Sequence, residues 1–174
     1  MTVAESASGN SLPPFFVFPT KNYRDCFIAG GPDGSAESAN KWGLLTRDNF
    51  VLYVEYFIKR TGVTQDKPML TLLNSHLSHL NKKFLILLRK MEWWCHSTSY
   101  FSQSATLIKQ VSLWTFYVFP GLLLIHASEG IRSNPGKTMT IYDIPFIMNR
   151  SLANSLTPEN IKWRFLVTGL WPLS

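Results

Sequence analysis

Apolar positions recur along this chain with two distinct periods, and the clearest is helical. From Thr46 onward Phe50, Val54, Phe57 and Ile58 fall on one face of a 3.6-residue repeat. Thr46 is placed to cap the first turn and Gly62 to close the last, so a helix is predicted between them. Pro68-Met69-Leu70-Thr71-Leu72-Leu73 is short and almost wholly apolar, the pattern of a strand buried on both faces of a mixed sheet. A second amphipathic helix follows, with Leu80, Phe84, Leu87, Leu88 and Met91 inward and Lys82, Lys83, Arg89 and Lys90 outward. Upstream, Met1 to Ala7 and Phe15 to Pro19 are short apolar or alternating runs separated by Ser8-Gly9-Asn10-Ser11, which predicts a hairpin. Ile28 to Asn40 is rich in Gly, Ala, Ser, Pro and Asp without a period and reads as an irregular loop. Near the end, Thr157-Pro158-Glu159-Asn160 sets a capping hydroxyl before a first-turn proline and an acid, a helix start. No internal repeat is present.

Strand, strand, helix, buried strand, helix is an α/β order in which sheet and helices share one core. At 174 residues and 45% hydrophobic content, the chain has length for one domain with a real core. Its net charge of +6 favours a polyanionic partner, nucleic acid or an acidic membrane surface. Two cysteines, Cys26 and Cys95, exclude a disulfide framework and a four-cysteine zinc site, and fit a reducing compartment. Met1 to Glu5 lacks the basic segment and apolar stretch of a secretory signal. Val111 to Ala127 is apolar enough to be weighed as a membrane segment. A span normally needs about 20 apolar residues, and Lys109, Gln110, Pro120 and His126 crowd this one, so a membrane is disfavoured.

In an open α/β sheet the functional spot lies where a buried strand gives way to its polar loop. Here that spot reads Leu72-Leu73-Asn74-Ser75-His76-Leu77-Ser78-His79-Leu80. This run resembles the L-L-D-N-H-x-S-H-L of DDE transposases of the pogo, Tigger and jerky group, with His76, Ser78 and His79 in register. Ser6-Ala7-Ser8-Gly9-Asn10 with Leu12 to Pro19 is similar to that family's second and third strands, and Gly30-Gly31-Pro32 with Ala39-Asn40 to the loop after them. Thr157-Pro158-Glu159-Asn160-Ile161 and Thr168-Gly169-Leu170-Trp171-Pro172 are similar to its closing T-P-E-N-I and T-G-I-x-P. The likeness covers residues 4–91 and 134–174, while 92–133 diverges.

The resemblance implies a partial nuclease domain over residues 1–174. Its fold would be a ribonuclease H-like mixed sheet flanked by helices, incomplete because the first strand is missing. Active relatives hold two Mg2+ ions on three carboxylates and attack phosphodiesters with water and then a freed 3′ hydroxyl. The first of those acids belongs to the missing strand. The second falls at Asn74, a vestigial catalytic position where a neutral amide replaces an anionic ligand that magnesium favours. The third belongs to a P-P-H-x-S-H-x-L-Q-P-L-D stretch that is absent. Codons permitted for Ser97 to Leu107, shifted one nucleotide forward, can spell that pattern up to its last leucine, so residues 92–133 are read as out of frame; the coding DNA tests this. No cofactor and no small-molecule substrate are therefore expected. The partner expected is DNA, bound by Lys82, Lys83, Arg89 and Lys90, and the compartment implied is the nucleus. The alternatives are a small membrane-associated protein with a segment at 111–127 and a nonfunctional product without a stable fold.

Plainer readings compete at each residue. His76 and His79 lack the further ligands of a zinc site, so no metal is assigned to them. Cys95 beside Trp93, Trp94 and His96 is read as packing, because adjacent residues rarely face each other as nucleophile and base. The four basic residues of the second helix also suit a solvated face. Gly30-Gly31 lacks the lysine and spacing of a phosphate loop.

Overall fold

The computed structural model describes residues 1–22, 24–74, 82–90, 94–98 and 121–172, with the backbone alone at 25, 74, 88–90 and 94–98. Strand β1 (Phe15–Pro19) is the centre of the packing, because Phe15, Phe16, Val17 and Phe18 are all buried. Alternate residues of a strand point to opposite faces, so four buried neighbours require cover on both. Helix α1 (Arg47–Thr61) supplies one cover. Phe15 and Val17 pack with its Phe50, Tyr53, Val54 and Phe57, and Phe84 of α2 (Lys82–Lys90) joins them. Phe15 meets Tyr53 edge-on at 5.7 Å and Phe50 meets Phe84 edge-on at 5.0 Å, the geometry the ring quadrupoles favour. On the opposite face, Phe16 and Phe18 pack with Phe27 and Ile28 of a 3-10 turn (Asp25–Ile28) and with Ile141 and Met148. Fully burying each such phenylalanine contributes roughly 1.5–3 kcal/mol. The chain is thus α/β, with helices on both sides of β1.

Helix α1 forms as its pattern predicts. The Thr46 hydroxyl accepts from the Asn49 amide, and Gly62, at φ 62°, closes the end by donating to the Ile58 carbonyl. Helix α5 (Pro158–Val167) also starts where expected, with Thr157 Oγ1 accepting from the Asn160 amide and Pro158 in the first turn. Between them in sequence lie α3, residues 121–133, and α4 (Ile144–Ser155). The end of the chain is fastened to its beginning. Arg164, 4% exposed, donates to Glu5 Oε1 at 3.1 Å, and its other donors reach the Asn160 and Ser155 carbonyls. The Phe27 and Tyr142 rings meet at 5.3 Å, and the Asn149 amide reaches the Gly30 carbonyl.

Three expectations need correction. The segment Ile28 to Asn40 is not all loop: its last five residues form β2 (Ala36–Asn40), which pairs with β1 in parallel, Phe15 opposite Ala36 and Pro19 opposite Asn40. Ala, Glu, Ser and Asn carry little strand preference, and the edge of the buried β1 imposes the extended form. The expected hairpin is reduced to two antiparallel bridges, Thr2 with Phe15 and Glu5 with Ser11. The Ser6 amide donates to the Asn10 carbonyl and Gly9 to Ser6, so the turn is present while β1 takes its ladder from β2.

The third correction concerns β3 (Leu70–Asn74). It forms, but Leu70 is 68% exposed and Thr71, Leu72 and Leu73 are half-buried, so it is not covered on both faces. It pairs in parallel with β4 (Trp94–Thr98), and α2 lies on the crossover that a parallel pair requires. Among the described residues the strands make two two-stranded sheets, β1 with β2 and β3 with β4. Phe84 of α2 is buried and Leu87 half-buried as the pattern predicts, while Leu85 and Ile86 face solvent. Leu80 and Met91 of the predicted inward face lie outside the described residues.

Candidate nucleic-acid interface

Parallel pairing puts the carboxyl ends of β3 and β4 at one edge, where α/β sheets gather their ligands. Asn74 ends β3 there, opposite Thr98. His76, Ser78 and His79, expected beside it, lie outside the described residues. Beyond them α2 opens with Lys82 and Lys83, both exposed, and ends with Arg89 and Lys90. Residues seven apart on a helix return to nearly the same face about 10 Å along the axis. The backbone of α2 therefore carries positions 89 and 90 two turns along from positions 82 and 83. Among the described residues no group of three His, Cys, Asp or Glu side chains converges.

The other parallel pair has its own carboxyl edge, and a rigid turn is built on it. After β2 the chain turns through Asn40-Lys41-Trp42-Gly43, with the Gly43 amide donating to the Asn40 carbonyl at 3.2 Å. Asn40 Oδ1 accepts from the Trp42 amide at 2.9 Å, while Asn40 Nδ2 donates to the Leu44 carbonyl and to Asn49 Oδ1, both at 2.6 Å. Asn49, 5% exposed, also accepts from Thr46 Oγ1 and donates to Ser38 Oγ, each at 2.5 Å. Every polar atom of its buried amide is engaged, as burial demands. Gly43, at φ 65°, sits against Pro19, where a Cβ would meet the proline ring at 3.1 Å. This network clips the end of β2 to the start of α1. Above it stands Trp42, 67% exposed, with the Lys41 ammonium 4.7 Å from its ring centroid, within cation–π range.

No family model, curated protein or solved structure matches this chain.

A cavity of about 160 Å3 lies between α3 and α4, lined in part by His126, Ile131, Met139, Asp143, Phe146 and Arg150. Its polar groups serve one another. Ser151 Oγ donates to the Ile147 carbonyl at 2.9 Å and therefore accepts from Nδ1 of the buried His126, also at 2.9 Å. Asp143 accepts from Lys137 Nζ at 2.7 Å and from both the amide and hydroxyl of Thr140, which hold its carboxyl at about 2. Arg150 faces Glu129 at 3.7 Å. The arrangement fastens α3 and the following loop to α4. Residues 111–120 of the apolar 111–127 segment lie outside the described residues, and 121–127 begin α3. Among the described residues no helix is long and apolar enough to cross a membrane.

Sequence reading missed the Trp42 turn, and also the buried Arg164 and Glu5 pair. A faint signal existed for the first: an Asn two residues before Trp42 can accept from its amide, and Gly43 follows as the residue suited to positive φ. For the pair, 159 residues apart, local sequence offers no signal.

Proposed function

We propose that this chain carries part of a DDE-type nuclease domain of ribonuclease H type that binds DNA and does not cut it. One observation carries the reading: Leu72 to Leu80 resembles the family's strand-end motif, with His76, Ser78 and His79 in register, Asn74 in place of its aspartate and Ser75 in place of its asparagine. An amide offers magnesium one neutral oxygen where a carboxylate offers a charged and bridging one, and hard divalent ions favour the latter. With an amide at this one of the three ligand positions, the paired ions that activate water are held far more weakly, and phosphodiester cleavage is expected to stop. Binding needs less. Lys82 and Lys83 are exposed directly beyond the motif, Arg89 and Lys90 follow two turns later, and the net charge is +6. Phosphate neutralisation by such side chains releases counterions and gives affinity without sequence preference. The compartment that goes with this reading is the nucleus, as the resemblance implies. No metal is needed for it.

Anisotropy of a labelled DNA duplex across a salt series tests the binding. The expected log–log slope is about −0.9 for each phosphate neutralised, and replacing Lys82 and Lys83 together by Glu makes the slope shallower by roughly 2. A salt-independent affinity would sink the proposal. Incubation with plasmid and Mg2+ is expected to leave it intact. Nicking that a chelator abolishes would overturn the inactive half of the reading.

A further inference from the structure

We infer that the turn at Lys41–Trp42 is a second nucleic-acid site, one that stacks an unpaired base of a single strand on the Trp42 ring. The inference rests on the reading that the chain binds nucleic acid, and it adds a different place and a different strand state.

The ring is exposed, and the backbone that carries it is fixed. Trp42 leaves two thirds of its surface in water, while its backbone is held by Asn40 Oδ1 and its neighbour Gly43 is seated on Pro19. Asn40 is in turn held by the buried Asn49. A backbone this constrained loses little freedom when something stacks on the side chain it carries, which leaves only the two torsions of the indole to be ordered. Lys41 lies over one face of the indole, so stacking on the other leaves its ammonium beside the strand's phosphates.

Charge favours the same ligand. β1 and β2 are parallel, so the loops that follow them leave the sheet at one edge, Pro19 opposite Asn40. Lys21 and Arg24 follow β1, Lys41 and Arg47 follow β2, and all four are exposed; Asp25, Asp33 and Asp48 are the acids on the same segments. A basic edge with one open aromatic ring is the pattern of single-strand binding, where bases stack on aromatic faces and cations track the backbone. Duplex DNA keeps its bases stacked on each other and has none to offer the ring. A protein partner would gain from the cations only if its surface were acidic, whereas every single strand carries a phosphate beside each base.

The test compares a labelled oligothymidylate of about 12 nucleotides, within the usual span of such sites, with a duplex of equal length. Trp42→Ala is expected to weaken oligothymidylate binding by roughly 10-fold, Trp42→Phe to retain most of it, and both to leave duplex binding unchanged. Lys82→Glu with Lys83→Glu is expected to do the reverse. Unaltered oligothymidylate binding by Trp42→Ala overturns the inference and leaves the duplex reading standing. Absence of binding to either probe by the unmodified chain overturns both. If Trp42→Ala lowers the melting temperature, Lys41→Glu decides instead, and oligothymidylate affinity equal to that of the unmodified chain overturns the site.

Discussion

Phe15 to Phe18 and Leu70 to Leu73 are both apolar runs in strands that pair in parallel, and they meet opposite fates. The first is buried residue by residue, between α1 and α2 on one face and the 3-10 turn with Ile141 and Met148 on the other. The second is half-buried, with Leu70 68% exposed, and the helix on its crossover leaves Leu85 and Ile86 in water. Apolar content is similar; cover is not. A strand face becomes core only when a second layer closes over it, and here residues 1–61 and 141–172 close over β1 from both ends of the chain. The well-packed unit therefore unites segments more than 100 residues apart, as the Asn149 contact with Gly30 illustrates. The β3–α2–β4 unit is attached to it through Phe84, Leu73 and Leu87 on one side.

Cavity formation should separate the two regions most sharply. Phe50→Ala is expected to destabilise the chain by about 3–5 kcal/mol, whereas Leu85→Ala is expected to stay within about 0.5 kcal/mol. Urea midpoints measure both, and equal losses would mean that α2 is covered as fully as α1. Next in size comes the tie between the chain ends. Arg164→Met leaves Glu5 facing a buried site stripped of its cation, and about 3 kcal/mol of stability should go. A loss confined to a few tenths would show that Glu5 and Arg164 do not hold the packed unit together.

Smaller effects should appear in the pH dependence. Burial, and then the neighbouring Tyr56, push the Tyr53 hydroxyl above its ordinary value of 10. A raised folded value means that its contribution is complete below pH 10 and is lost as pH rises further. Tyr53→Phe should therefore remove part of the alkaline loss of stability and change little at neutral pH, which melting curves from pH 8 upward would check. At the other extreme, the Lys137 ammonium and then Thr140 hold the Asp143 carboxyl down from 3.8 to about 2. This contribution is complete above the unfolded value and fades as pH falls toward 2. It belongs to a surface carboxyl, so only a slight acid shoulder is expected, absent from Asp143→Asn; a carboxyl resonance titrating near 3.8 instead would contradict the contacts with Lys137 and Thr140.

How much of this was legible in advance depends on the range of the signal. Thr46 with Gly62, and Thr157 with Pro158, declared their helices because a cap acts within one turn. Phe50, Val54 and Phe57 declared the inward face because a helix repeats every 3.6 residues. Ala36 to Asn40 declared nothing, since its strand exists only against β1. The hairpin was half legible: Ser6 to Asn10 makes the turn, but β2 wins the ladder. For the candidate site, the strand end at Asn74 could be located from the apolar run before it, and the exposed start of α2 at Lys82 and Lys83 from its period. That Trp42 stands exposed on a braced turn could not be read, because its support comes from Ser38, Thr46 and Asn49 around it.

The sequence by itself determined the caps, the helical faces, the surplus of positive charge and the amide at position 74, all of which are properties of residues within a few positions of each other. Only tertiary structure decided which apolar run became core, which polar segment became a strand and which tryptophan stayed in water. Burial and strand pairing are settled by whatever surface arrives from elsewhere in the chain, and no local pattern specifies that arrival.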